Sequence, residues 1–180
     1  MREADLPFQL VVLPRAKVGR HLLSRSRGGQ YKTVVSIGDP GSRPPPGFRS
    51  LGRSTLRLEF EDIVDAENAL GPTDRDVTSI INFAPTVRRL GGICLVHCEA
   101  GVSRSTAAAA IIARIILGPG SELAAMELAC GAVAFAAPNR LMLQLADEQL
   151  AADGALVQAR ADYLLRIDEV ARAVQHDDED

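Results

Sequence analysis

At 180 residues the chain is long enough to bury a substantial core in one domain. Hydrophobic residues make up 47% but aromatics only 4%, with no Trp, so aliphatic and alanine packing has to build that core. A net charge of −3 comes with three Cys and three His, which exclude a complete disulfide framework and show no zinc-like spacing, so no metal is expected. No apolar run approaches the ~20 residues that span a bilayer. The start, Met1-Arg2-Glu3-Ala4-Asp5, lacks the basic-then-apolar order of a signal peptide. No membrane insertion and a cytoplasmic setting are therefore expected.

Phe8 to Leu13 reads as a first strand and 14–26 as a short basic helix or turn. Residues 15–32 carry Arg15, Lys17, Arg20, Arg25, Arg27 and Lys32 and no acid. Such a stretch is either a solvated helix face or a surface that attracts phosphorylated substrates. Aromatic interleaving is too sparse for a nucleic-acid surface. Tyr31 to Ile37 is β-rich and stops at Gly38-Asp39-Pro40. Pro40 to Gly52 holds four prolines and three glycines and reads as a loop, with Pro44-Pro45-Pro46 as a stiff spacer rather than a partner ligand. Residues 54–60 alternate (Leu56, Leu58, Phe60) like a strand, then run into E-F-E-D-I-V-D-A-E, five acids within residues 59–67.

A helix follows over about 75–90, with Val77, Ile80, Ile81, Ala84 and Val87 at helical spacing and Pro85 placed to kink it. Gly91-Gly92 ends it, and Ile93 to His97 reads as a buried strand. Arg104 to Leu117 is apolar nearly all round, which predicts a central buried helix. Gly118-Pro119-Gly120 breaks it; helices over 121–130, 139–152 and 161–175 follow, the last amphipathic and packed on the outside. Asp177 to Asp180 is an acidic tail. Strands alternating with helices predict an α/β fold, a single domain over 1–176 with its core at about 30–150 and a mostly parallel sheet flanked by helices. Cys94 and Cys130 read as packed thiols, Cys94 being about 13 Å from Cys98 along an extended strand, beyond disulfide reach. His21 and His176 read as ordinary surface residues.

The stretch between strand and helix, residues 97–105, is H-C-E-A-G-V-S-R-S. A loop there opens onto a helix N-terminus, where unpartnered N–H groups and the macrodipole favour an anion. Backbone N–H groups from Glu99, Ala100, Gly101, Val102, Ser103 and Arg104 can curl around one dianion as a nest. Gly101 supplies a turn that a side chain resists, and the planar fork of Arg104 can hold two phosphate oxygens. Cys98 faces the same groups, a setting that favours the nucleophilic thiolate. Ser105 can donate to the Cys98 sulfur and improve it as a leaving group. His97 is expected to orient the loop through hydrogen bonds to backbone.

H-C-E-A-G-V-S-R-S resembles the phosphate-binding loop of the cysteine-based protein tyrosine phosphatases, in the form found in dual-specificity and compact bacterial members. Pro138-Asn139-Arg140-Leu141-Met142-Leu143-Gln144-Leu145 resembles the segment those enzymes place after the loop helix, and the similarity spans about residues 30–150. The resemblance implies phosphomonoester hydrolysis through a phosphocysteine on Cys98, with no metal or other cofactor, and a general acid Asp on a loop upstream. Asp62 is the first candidate for that acid and Asp65 the second; the 36 residues from Asp62 to Cys98 are somewhat more than in compact members. Asn139 fits a helix N-cap, and the resemblance adds a hydrogen bond near the phosphate loop. Arg140 reads as a surface residue.

The expected partner is a phosphorylated protein or peptide, with phosphotyrosine leading and dual specificity or a small phosphorylated metabolite as alternatives. Phosphoinositide phosphatases of the superfamily often carry Lys at the variable loop positions, and Glu99, Ala100, Val102 and Ser103 include none, which disfavours lipid. Two other readings are a phosphate-binding pseudophosphatase or adaptor, against which Cys98, Arg104 and the candidate acids speak, and a rhodanese-like sulfur transferase, against which the Cys-to-Arg spacing and Ser105 speak.

Overall fold

Apolar strand segments and helices form where the sequence pattern places them, with two strands in succession before the second helix and four helices after the last strand. The computed structural model describes residues 8–50 and 52–177. Four strands, β1 (Phe8–Pro14), β2 (Tyr31–Gly38), β3 (Ser54–Glu59) and β4 (Gly92–Cys98), form one sheet in the order β1-β4-β2-β3, every neighbouring pair parallel. The helices are α1 (Arg15–Leu22), α2 (Asp74–Leu90), α3 (Arg104–Leu117), α4 (Glu122–Cys130), α5 (Arg140–Leu150) and α6 (Ala155–Asp177). The acidic residues after Asp177, the stretch Met1 to Pro7 and the side chain of His176 lie outside the described residues.

The sheet is covered unequally. On one face α2, α3 and α4 cover the sheet over Val35, Ile37, Leu58, Cys94 and Val96, with α5 and α6 packed on those helices; on the other, α1 and the segment after β2 bury Val18, Leu22, Tyr31, Val34, Phe48 and Leu95. The central helix is α3, fully buried through the alanine run Ala107 to Ala110, so small residues let it lie close to the sheet in a chain short of aromatics. Thr73 and Asp76 form a reciprocal capping box at the start of α2, and Pro85 stays inside a continuous 17-residue helix. The last helix begins at Ala155, earlier than its apolar periodicity indicates, because the buried Asp147 of α5 accepts from the N–H groups of Gly154 and Val157, both at 3.0 Å. His21 departs from the surface reading: it is half-buried, with Nδ1 2.7 Å from the Tyr31 hydroxyl. No helix of the described residues is long and apolar enough to cross a membrane.

Candidate active site

The parallel sheet delivers the C-terminal end of β4 to the N-terminus of α3, and residues 98–104 make the turn between them. Gly101 has φ +78°, and a Cβ on it would stand 2.5 Å from Pro14 N and 2.7 Å from Leu13 C, so the loop lies directly on the end of β1. Only glycine fits that contact. Three loop carbonyls are turned into the protein: Glu99 O accepts from Arg15 N (3.1 Å), Val102 O from Ala137 N (2.9 Å), and Ser103 O from Asn139 N (3.2 Å) and Ala107 N (3.0 Å). Among the described residues the single loop N–H that donates to a protein group is that of Gly101, and its acceptor is the Cys98 sulfur at 3.2 Å. The remaining N–H groups of Glu99, Ala100, Val102, Ser103 and Arg104 are unspent, which is what an anion site requires.

Cys98 is 1% exposed, and its Sγ also lies 3.2 Å from Ser105 Oγ, the contact the sequence leads one to expect. Arg104 is 4% exposed; its Nη1 donates to Phe60 O (2.6 Å) and to Asp39 Oδ1 (2.7 Å). Two acceptors on one nitrogen fix the plane of the guanidinium and leave the other edge of the fork for a ligand. Asp39 is not among the site residues the sequence points to. The only signal was its place after β2 at the strand stop Gly38-Asp39-Pro40, and that pattern reads as a turn.

Five acids between Glu59 and Glu67 are separated by the structure. Asp62 Oδ1 accepts from Ser103 Oγ (2.7 Å) and Asn139 Nδ2 (2.8 Å), and its Oδ2 is 4.0 Å from Arg104 Nε. Asp65 instead accepts from the N–H of Glu67 (3.0 Å) within its own exposed turn. Asn139 both caps α5, accepting from Met142 N at 3.0 Å, and donates to Asp62 and to Ile63 O (3.1 Å). Its two roles are compatible, as the sequence allows. Arg140 is exposed.

His97 differs from expectation. It is fully buried on the α1 side of β4, and neither ring nitrogen has a hydrogen-bond partner, so it does not orient the loop by hydrogen bonds to backbone. Burial pushes the ring down to about 4, helped by the Arg15 and Arg57 guanidiniums and opposed by the Cys98 backbone, so it is neutral packing material beneath the loop near pH 7. Cys94 and Cys130 are buried free thiols, both pushed up to about 12 by burial, hence inert thiols rather than thiolates. Among the described residues no group of three His, Cys, Asp or Glu side chains is placed to hold a metal ion.

No family model and no curated protein matches the sequence. Solved structures do match. Human DUSP28 superposes with a TM-score of 0.58 at 21% identity, covering 83% of this chain and 94% of that one. DUSP15 gives 0.58 at 24% identity, over 87% and 92%. The human tyrosine phosphatase-like serine/threonine/tyrosine-interacting protein gives 0.59 at 19% identity, over 79% and 91%. The four-stranded parallel sheet, the loop at the end of β4 and these superpositions together give the chain the fold of the cysteine-based protein tyrosine phosphatases, in its compact dual-specificity-like form.

Proposed function

We propose that the chain hydrolyses phosphomonoesters through a phosphocysteine on Cys98, with phosphotyrosine in a protein as the leading substrate. The observation that carries this reading is the loop's hydrogen-bond pattern. The carbonyls of Glu99, Val102 and Ser103 are committed to the protein, five of its N–H groups are spare, and a buried Cys and a clamped Arg bracket the same loop. Phosphate oxygens would take the N–H groups and the free edge of Arg104. The Cys98 thiolate then attacks phosphorus in line; the S–P bond forms as the P–O bond to the leaving group breaks. Asp62, held by Ser103 and Asn139, gives the departing oxygen its proton, and as a carboxylate then takes one from the water that cleaves the S–P bond. Inorganic phosphate leaves, and Ser105 eases departure of the sulfur by donating to it.

The test is phosphate release from an aryl phosphate, a phosphotyrosine peptide, a phosphoserine peptide and a phosphoinositide, in reductant and chelator, wild type beside Cys98→Ser. Release that needs Cys98 supports the reaction, and the ranking of the four substrates decides the class. Tight phosphopeptide binding with no turnover by the folded wild-type protein would replace this reading with that of a phosphate-binding adaptor. Asp62→Ala should lower turnover about 100-fold or more while Asp65→Ala does not; the reverse result moves the acid to Asp65.

A further inference from the structure

Charge is distributed very unevenly along this chain. Ten of its twenty Lys and Arg fall between Arg15 and Arg57, against one acid, Asp39, out of twenty-three Asp and Glu. That segment builds one side of the molecule: α1, β2, the turn-rich stretch to β3, and β3 itself. Two of the ten are turned to internal work. Arg53 donates to the carbonyls of Leu22, Gly28, Tyr31 and Gly47, and Arg57 to Ser36 and Ser42, so both act as staples. Seven others, Lys17, Arg20, Arg43 and Arg49 among them, are exposed, and none makes an ion pair among the described residues.

This basic layer reaches the candidate active site. Helix α1 starts directly after β1, and Arg15 lies against the entry of the phosphate loop, Nε 3.7 Å from Glu99 Oε2. Its Nη2 donates to the Arg43 carbonyl at 2.5 Å, which puts Arg43 next to the loop's rim. The exit of the loop has the opposite sign, since Ser103 contacts Asp62 in the acidic 59–67 stretch. A substrate chain crossing the loop thus meets a positive field on the Glu99 side and a negative one on the Ser103 side. We infer that the α1 layer, through Lys17, Arg20 and Arg43, docks acidic residues that flank the phosphorylated side chain of a protein substrate. The inference rests on the phosphatase reading above and names the substrate's flanking chemistry. A protein segment fits better than a bilayer. Leu23 is the one large apolar side chain well exposed on this layer among the described residues, whereas membrane-surface helices pair Lys and Arg with several Trp, Phe or Leu.

The experiment uses two phosphotyrosine peptides that differ only in carrying Glu or Gln at three flanking positions, with wild type and a Lys17→Glu/Arg20→Glu/Arg43→Glu variant. Wild type should favour the Glu peptide about tenfold in kcat/KM at 0.1 M salt, where fields reach ~10 Å, and lose the preference at 1 M, where they reach ~3 Å. The variant should show no preference for Glu while hydrolysing a small aryl phosphate at the wild-type rate. Equal turnover of both peptides by wild type, or a preference that survives in the variant, overturns the docking surface. Anisotropy titration of both peptides with the Cys98→Ser protein makes the same comparison without turnover. A Glu preference there, beside an inactive wild type, would keep the surface and refute the phosphatase instead. Sedimentation with phosphatidylserine vesicles, abolished in the triple variant and unaccompanied by any peptide preference, would reassign the layer to membranes.

Discussion

Replacing Asn139 by Ser and by Ala separates what this residue does for folding from what it does for chemistry. It is 1% exposed and makes three side-chain hydrogen bonds: it accepts from Met142 N at 3.0 Å, and donates to Asp62 Oδ1 at 2.8 Å and Ile63 O at 3.1 Å. Asn139→Ser keeps an N-cap acceptor but cannot reach Asp62 or Ile63; Asn139→Ala loses all three bonds. A lost cap costs about 1 kcal/mol, and a hydrogen bond to a charged carboxylate contributes about 1.5–3 kcal/mol. The Ala protein should therefore be less stable than wild type by about 3 kcal/mol, and Ser should recover roughly 1 kcal/mol of that, near 3 °C in Tm for a chain of this size. Turnover should respond differently. Both variants release the Asp62 carboxylate from one of its two holders, so both should lose kcat equally, about tenfold or more, on phosphotyrosine peptide, whose leaving group needs a proton. On an aryl phosphate with an electron-poor leaving group, which departs without one, the loss should shrink to a few-fold. Thermal melts and initial rates on the two substrates measure both parts. An Ala variant that keeps wild-type kcat, or one that loses equally on both leaving groups, refutes the claim that Asn139 acts through Asp62.

The Arg104 clamp is tested by Asp39→Ala, which leaves Nη1 on Phe60 O alone. Loss of one charge-assisted bond, about 1.5 kcal/mol, should lower kcat/KM roughly tenfold with partial recovery in Asp39→Glu; unchanged kinetics would remove Asp39 from the site. Gly101→Ala forces a side chain to φ +78° and its Cβ to 2.5 Å from Pro14 N. The left-handed backbone alone costs about 1–2 kcal/mol, so a urea midpoint within error of wild type would contradict the close approach to β1. His97 titrates at about 4 in the fold against the ordinary 6.5. The unfolded chain takes its proton first, so this group's contribution is intact above pH 6.5 and is lost as pH falls through 4, about 3 kcal/mol in all. Unfolding free energies at pH 7 and pH 4 should therefore differ less in His97→Gln than in wild type, and an equal difference would mean the ring is not buried neutral.

Local pattern carried most of the fold. Each strand and helix was legible because apolar periodicity, glycine stops and capping residues are short-range signals. The start of α6 was not, since what fixes it is Asp147 reaching across from α5. The same division runs through the site. Cys98, Gly101, Arg104 and Ser105 sit in one contiguous loop, so their spacing was readable. Asp39 and Arg104 are 65 residues apart and meet because β2 pairs with β4 in the sheet, a neighbour relation that no residue near Asp39 encodes. Asp62 and Asp65 are indistinguishable as members of an acidic run; what separates them is that Ser103 and Asn139 face one and not the other. His97 misled for a related reason. A His beside a catalytic-looking Cys suggests hydrogen bonding, but the strand turns it to the face that α1 covers, away from the sulfur's side.

The loop from Cys98 to Arg104 is anchored from four separate places: Arg15 on α1, the end of β1 beneath Gly101, the Ala137–Asn139 segment before α5, and Phe60 with Asp39 around Arg104. Every backbone anchor uses a loop carbonyl as acceptor, so holding the loop's shape does not consume the N–H groups that an anion would need. That economy is what preorganisation means here, because the donors are aimed by the fold and not by the ligand, and no reorganisation is owed when charge develops. It also explains why the candidate acid is tied to the same anchors. Asn139 fixes the loop through its backbone N–H and Asp62 through its side chain, and Ser103 of the loop holds Asp62 as well, so the placement of Asp62 relative to Cys98 is set by these two contacts rather than by the length of the acidic segment. The somewhat long spacing from Asp62 to Cys98 is taken up in a turn that closes back on the acidic stretch, where Glu61 N donates to Leu70 O at 2.7 Å.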